Sequence, residues 1–218
     1  MKTHSSAKKA GVLRFPGTNC DRDVYQAVEN AGRNPKWLWY EDLFDYNEFE
    51  VLYLPGGFSF GDYLRSGALA ARTPVMKSVR EAARHGVPIL GICNGFQILC
   101  EAQLLPGVLL KNQGLRFRDE WVELQVRNQP TNLSFSLKAK LNLPIAHGDG
   151  RYFIENDGLK KLHDQNQIWF TYQNNPNGSI EDIAGIMNES KNVMALMPHP
   201  ERAIFDWMGS CDGLGFFK

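Results

Sequence analysis

The fourteen residues Val87–Cys100, VPILGICNGFQILC, constrain this chain more than any other stretch. Val87-Pro88-Ile89-Leu90-Gly91-Ile92 is an apolar run of strand length, rich in β-branched residues, and reads as a buried strand. It stops at Cys93. Asn94 and Gly95 follow, then a helical stretch over 96–103 with Phe96, Leu99 and Cys100 on one face. Gly91-Ile92-Cys93-Asn94-Gly95 is therefore G-x-C-x-G at a strand-to-helix turn, the thiol version of the G-x-S-x-G nucleophile elbow. Glycines suit such a turn because it leaves no room for Cβ atoms, and the turn presents the central side chain at the helix N-terminus. Helix assistance to a thiol nets only a few-fold in reactivity, since a less basic thiolate is a weaker nucleophile. Acid–base help and an oxyanion hole, each worth about a hundredfold or more, must come from elsewhere in the chain. The bland reading of Cys93 is a buried core thiol; the flanking elbow argues against it.

The rest of the first half alternates strand and helix. Strands are expected at 10–15, 36–40 and 51–54. Between them lies a helix with Val24, Ala27, Val28 and Ala31 at helical spacing, closed by Gly32. Thr73-Pro74 opens a second helix through Val75, Val79, Ala82 and Ala83, ended by Gly86. This β-α-β order predicts an α/β fold, a mostly parallel sheet with helices on both faces. The second half is strand-rich, with candidates at 121–126, 151–154, 167–172, 183–187 and 193–197 and turn signals at Asn177-Gly178 and Asn188-Glu189-Ser190. It reads as an antiparallel addition to the same sheet. With no Pro/Gly/Ser-rich linker, the expectation is one domain over 10–218, preceded by a loose basic tail over 1–9 with no apolar segment behind it.

Composition excludes several classes of function. Lys+Arg and Asp+Glu both number 24, so nothing in the charge points to nucleic acid or an anionic membrane. No apolar run spans a bilayer. The four cysteines, 20, 93, 100 and 211, show no C-x-x-C spacing, so neither a zinc site nor a disulfide framework is expected, and a reducing, cytoplasmic setting is the default.

Two further segments complete a candidate site. Leu54-Pro55-Gly56-Gly57-Phe58-Ser59-Phe60-Gly61-Asp62 follows a strand, on the sheet edge where the elbow lies. The amide of Gly57 or Phe58, with that of Asn94, could form an oxyanion hole; the alternative is a plain Gly-Gly turn. The loop is not a P-loop, because Asp62 stands where the lysine is needed. Met197-Pro198-His199-Pro200-Glu201-Arg202 follows the last strand. In extended chain His199 and Glu201 would share a face, an imidazole for proton transfer and a carboxylate to orient it. A lone histidine is more often structural, and His147, in Ala146-His147-Gly148-Asp149-Gly150-Arg151, is the rival. His147 is either a supporting or partner-contacting group or a loop residue. His4, His85 and His163 read as tail or helix-end residues.

The elbow, PGGFSFGDYLR and MPHPER together resemble the class I, triad-type glutamine amidotransferases. FPGTNCDRDV (15–24), PGGFSFGDYLR (55–65), GICNGFQILCEAQLLPG (91–107), PIAHGDGRY (144–152), NGSIEDIAGI (177–186) and PHPERA (198–203) resemble, within them, the glutaminase subunits of phosphoribosylformylglycinamidine synthases. The resemblance runs from about Gly11 to the C-terminus and departs at Asp149, where those subunits carry Glu. It implies a flavodoxin-like fold and a cytosolic glutaminase of purine biosynthesis. Cys93 would attack the glutamine carboxamide and pass through a glutamyl thioester. His199 would protonate the leaving ammonia and activate water, and Glu201 would hold His199. Gln97, one turn past the nucleophile, could bind substrate or simply pack the helix; Asp149 joins His147 as a possible supporting or partner-facing residue. The ammonia would pass to a synthetase subunit, accompanied by a small accessory subunit, that converts formylglycinamide ribonucleotide to formylglycinamidine ribonucleotide. ATP and Mg²⁺ are expected there, and no cofactor or metal on this chain. A free-standing Cys-His-Glu hydrolase, γ-glutamyl hydrolase-like or peptidase-like, and a non-catalytic module on the same fold are the competing readings.

Overall fold

The computed structural model describes residues 9–130 and 137–218; all but the last residue of the expected N-terminal tail lies outside them. In chain order the elements are β1 (Lys9–Arg14), α1 (Asp21–Asn30), β2 (Pro35–Trp39), β3 (Phe49–Leu54), α2 (Val75–Arg84), β4 (Ile89–Ile92), α3 (Asn94–Glu101), β5 (Val108–Leu110), β6 (Arg118–Val126), β7 (Lys140–His147), β8 (Arg151–Phe153), α4 (Asn156–Asp164), β9 (Ile168–Tyr172), β10 (Ile183–Met187) and β11 (Val193–Leu196). Lys9, placed in the tail by the sequence, is the first residue of β1.

Among the described residues, nine strands form one sheet in the order β2-β1-β3-β4-β11-β10-β9-β6-β7. The first five are mutually parallel, and the remaining pairings are antiparallel. The α/β class and the antiparallel addition are thus as expected. The central strands are buried on both faces: Val51, Leu52, Tyr53 and Leu54 of β3 and Ile89, Leu90 and Ile92 of β4 are at most 1% exposed. That is why they read as unbroken apolar runs. In β6, covered on one face, Val122 and Leu124 are buried between exposed neighbours. Of the stripes expected from spacing, helix α1 buries Val24, Ala27 and Val28 and α2 buries Val75, Val79 and Ala82, while Ala31 and Ala83 are half-buried. Gly32 and Gly86, at φ +82° and +78°, end them in the left-handed region.

Two expectations are corrected. The 151–154 segment is not on the main sheet; β8 pairs with β5 in a separate two-stranded ribbon. And β7 was not foreseen, because Pro144 interrupts its alternating Leu141, Leu143, Ile145 and His147. Proline is tolerated there because β7 is an edge strand, paired among the described residues only with β6.

The alternation of directions places the carboxyl end of β7 on the same edge as those of β3, β4 and β11. β7 also approaches the middle of that edge, although seven strands lie between it and β2. The His199 amide donates to the Pro144 carbonyl at 2.8 Å, and the Ala146 carbonyl lies 3.9 Å from Cys93 Sγ.

Candidate active site

The elbow is tight enough to dictate its residues. Cys93 sits at φ 51°, ψ −105°, a conformation that costs a non-glycine residue about 1–3 kcal/mol. Its amide donates to the Leu196 carbonyl at 2.9 Å, and its own carbonyl accepts from Phe96 and Gln97 in the first turn of α3. The strand–helix corner is thereby pinned at both ends. A Cβ at Gly95 would lie 1.9 Å from the Leu54 carbonyl oxygen, and one at Gly91 would lie 2.6 Å from Leu99 Cδ1. Both glycines of G-x-C-x-G are there because neighbouring atoms occupy that space.

Gly56 is where the three sequence segments meet. A Cβ on it would lie 2.7 Å from His199 Cε1, 3.3 Å from Cys93 Cβ and 3.4 Å from Cys20 Sγ. Gly57, at φ +136°, leaves no room for a side chain beside Asn19 and the Gly17 carbonyl. The oxyanion expectation is corrected in one respect. The Phe58 amide donates to the Gly17 carbonyl at 2.9 Å and is spent. The Gly57 and Asn94 amides have no backbone acceptor among the described residues. The Asn94 side chain joins the two loops: its Oδ1 accepts from the Ser59 amide at 3.2 Å, and its Nδ2 donates to Asp62 Oδ1 at 3.4 Å and Gln97 Oε1 at 2.7 Å.

His199 and Glu201 are each 1% exposed, with His199 Nδ1 donating to Glu201 Oε1 at 2.6 Å. The pairing arises differently from the extended-chain expectation, because Pro200–Arg202 is a single 3₁₀ turn. Burial alone would push the imidazole pKa down. The Glu201 carboxylate and the Cys93 and Cys20 sulfurs outweigh it, and His199 is held well above the ordinary histidine value. Nε2 of His199 has no hydrogen-bond partner among the described residues. The Cys93 thiol is turned toward the Ala146 carbonyl instead. A thiol–imidazole contact that tightens only around substrate is ordinary for an unliganded site.

The glycine-rich loop after β7 supports this arrangement. His147 is buried, and its Nδ1 meets Asn112 Oδ1 at 3.0 Å. That oxygen also accepts from the Gly150 amide, so it is an acceptor and His147 Nδ1 carries the proton. Burial, then the charge of His199, push the His147 pKa down to about 4, leaving a neutral ring. Asp149 Oδ2 accepts from the Ser66 hydroxyl at 2.8 Å, and its carbonyl accepts from Gln97 Nε2 at 2.7 Å. Both ends of the Gln97 amide are thus engaged, which favours the packing alternative over substrate binding. Burial, then Asp149, raise Asp62 to about 6.

Two residues at this rim were missed in the sequence. Asn112 holds the His147 loop through both side-chain atoms, and no motif surrounds it. Cys20 is buried against the site, with Arg202 Nη2 donating to its sulfur at 3.0 Å; its signal was FPGTNCDRDV, quoted above without a role.

Residues 7–212 match the CobB/CobQ-like glutamine amidotransferase domain. The structure of PurLQS from Thermotoga maritima contains a chain 44% identical to this one, with 97% of this chain and 96% of that one covered and a TM-score of 0.87. A glutamine amidotransferase from the same organism shares the fold at 15% identity, with 92% of this chain and 78% of that one covered and a TM-score of 0.62. No helix among the described residues is long and apolar enough to cross a membrane. With the family model spanning nearly the whole chain and the elbow cysteine meeting a buried His–Glu pair at Gly56, the chain belongs to the CobB/CobQ-like glutamine amidotransferases.

Proposed function

We propose that this chain is the glutaminase subunit of phosphoribosylformylglycinamidine synthase, hydrolysing glutamine and handing the ammonia to a synthetase subunit. The observation that carries the reading is the meeting of an elbow cysteine and a buried His–Glu pair at Gly56, in a chain 44% identical to a component of PurLQS.

In the first half-reaction the Cys93 proton passes to His199 Nε2 and the sulfur attacks the carboxamide carbon. The oxyanion is met by the amides of Gly57 and Asn94, both free to donate. His199 returns the proton to nitrogen, the C–N bond breaks, and ammonia leaves a glutamyl thioester on Cys93. His199 then deprotonates water, which attacks the thioester and releases glutamate and the thiol. Glu201 fixes the ring so that Nε2 faces the sulfur, and stabilises the imidazolium of each half-reaction. The Pro144 carbonyl accepts from the His199 amide, and the Ala146 carbonyl lies 3.9 Å from Cys93 Sγ. The chain needs no cofactor for these steps. ATP and Mg²⁺ belong to the synthetase subunit, and a small accessory subunit completes the assembly.

The test uses the assembled enzyme. Cys93→Ser is expected to lower glutamine-dependent synthesis by about a thousandfold or more while leaving synthesis from ammonium chloride intact. Glutamine-dependent synthesis that survives the substitution would overturn the reading. Full glutaminase activity of the wild-type chain without its partners would favour the free-standing hydrolase.

A further inference from the structure

The thiol of Cys20 takes no part in the proposed reaction, yet it is buried beside the two groups that drive it. Cys20 Sγ, a ring nitrogen of His199 and a carboxylate oxygen of Glu201 all lie within 4.8 Å of one another. All three residues are at most 2% exposed. Glu201 Oε2 has no hydrogen-bond partner among the described residues. The triad uses only Oε1, so nothing in the reaction accounts for the second oxygen. A buried carboxylate oxygen without a donor is costly, and a cation is one group that would satisfy it.

The donor set says which cation. One sulfur, one imidazole nitrogen and one carboxylate oxygen suit a borderline-soft metal, whereas Mg²⁺ and Ca²⁺ prefer oxygen throughout. In a tetrahedral zinc site with bonds of about 2.0–2.3 Å, ligand atoms stand about 3.3–3.7 Å apart. The cluster therefore needs to contract by about 1 Å at most, and the 2.6 Å His199–Glu201 contact must open by a similar amount. An outer partner is already in place: Arg202 Nη2 donates to Cys20 Sγ at 3.0 Å, which fixes the position of the sulfur.

We propose that Cys20, His199 and Glu201 form a binding site for a thiophilic divalent cation, with Zn²⁺ as the probe, and that its occupancy switches off glutamine hydrolysis. The metal binds the sulfur, one ring nitrogen and the carboxylate. Up to two protons leave to solvent, one from the Cys20 thiol and one from the His199 ring, and no electron moves. The imidazole and its orienting carboxylate are then unavailable for proton transfer. Because protons are released, binding strengthens as pH rises. The inhibition rests on the proposed reaction; the binding does not.

Two measurements test this. In the full-length chain carrying Cys93→Ser, Co²⁺ should bind with one equivalent and give a thiolate-to-metal charge-transfer band that Zn²⁺ removes. The band should vanish when Cys20→Ser is added. Its absence from the single variant, or its persistence in the double one, overturns the site. In the assembled enzyme, Zn²⁺ should inhibit glutamine-dependent synthesis reversibly by chelator, and Cys20→Ser should raise the half-inhibitory concentration about tenfold or more. Equal inhibition of the two proteins overturns the proposal. If Cys20→Ser does not fold, the wild-type chain still decides it: Zn²⁺ should raise its unfolding temperature, more at pH 8 than at pH 6, and no shift counts against the site. Failure of Cys93→Ser to abolish glutamine use, with cobalt binding intact, would remove the proposed reaction and leave the site standing.

Discussion

At the scale of single residues, the elbow and the buried pair set the sharpest expectations. Gly95→Ala would drive a methyl group to 1.9 Å from the Leu54 carbonyl oxygen. Backbone cannot yield as a flexible side chain can, so a loss of about 2–4 kcal/mol is expected, read as a lower urea midpoint, with glutaminase activity falling as the elbow shifts. His199→Ala removes the proton carrier, whereas Glu201→Gln keeps a ring that is less well oriented. The Glu201 variant should therefore retain more kcat, by about tenfold or more; equal losses would contradict the roles. The same substitution has a pH consequence. Because Glu201 holds the folded-state pKa of His199 above its ordinary value, the pair's stabilisation is complete below the ordinary histidine range. It is lost as pH rises through the raised value. With glutamine in place of Glu201, burial acts with less opposition, and the His199 NMR titration should move to lower pH. Much of this site was legible in the residues, because G-x-C-x-G and H-P-E are local patterns with local causes. The spent Phe58 amide was not, because its acceptor is Gly17, 41 positions earlier in the chain.

At the scale of elements, β7 carries more of the site than its sequence announces. Its Pro144 and Ala146 carbonyls address His199 and Cys93, and its last residue opens the His147 loop. Pro144 hid the strand, since proline argues against a strand unless the strand is known to be at an edge, and edge position is a property of the sheet. The 151–154 segment misled in the opposite way. Its composition is strand-like, and it does form β8, but composition does not say which strand it pairs with. Asn112 is the fastening of this region. Its Nδ2 donates to the carbonyls of Arg116 and His147, at 2.9 and 2.8 Å. Its Oδ1 accepts from His147 Nδ1 and the Gly150 amide. Asn112→Ala strands three buried polar groups, the His147 carbonyl, His147 Nδ1 and the Gly150 amide, and one part-buried group, the Arg116 carbonyl, and the expected cost is about 2–4 kcal/mol. Urea unfolding should show a lower midpoint with an unchanged slope. Glutaminase activity should fall too, because the Ala146 carbonyl beside Cys93 is held from this loop.

At the scale of the whole molecule, one sheet carries both the parallel strands that bear the elbow and the antiparallel strands that bring β7 back against it. The apolar runs predicted the parallel half well, because strands buried on both faces leave no alternative. The return of β7 depends on the pairing order of five strands, and no single stretch encodes that. The return encloses His147 beside His199, and the cost appears in the pH dependence of global stability. The folded-state pKa of His147 is depressed to about 4, against about 6.5 in the unfolded chain. Between those values the unfolded state binds the extra proton, so stability rises with pH across the window and is lost as pH falls from about 6.5 to about 4. At 1.36 kcal/mol per unit, the group accounts for about 3 kcal/mol of acid sensitivity. His147→Gln keeps a hydrogen bond to Asn112 but does not titrate. Its stability, followed by urea unfolding from pH 4 to 7, should lose that slope even where its absolute value is lower than that of the wild-type chain. An unchanged slope would mean that the acid sensitivity lies in other groups and that His147 is solvated in the folded protein.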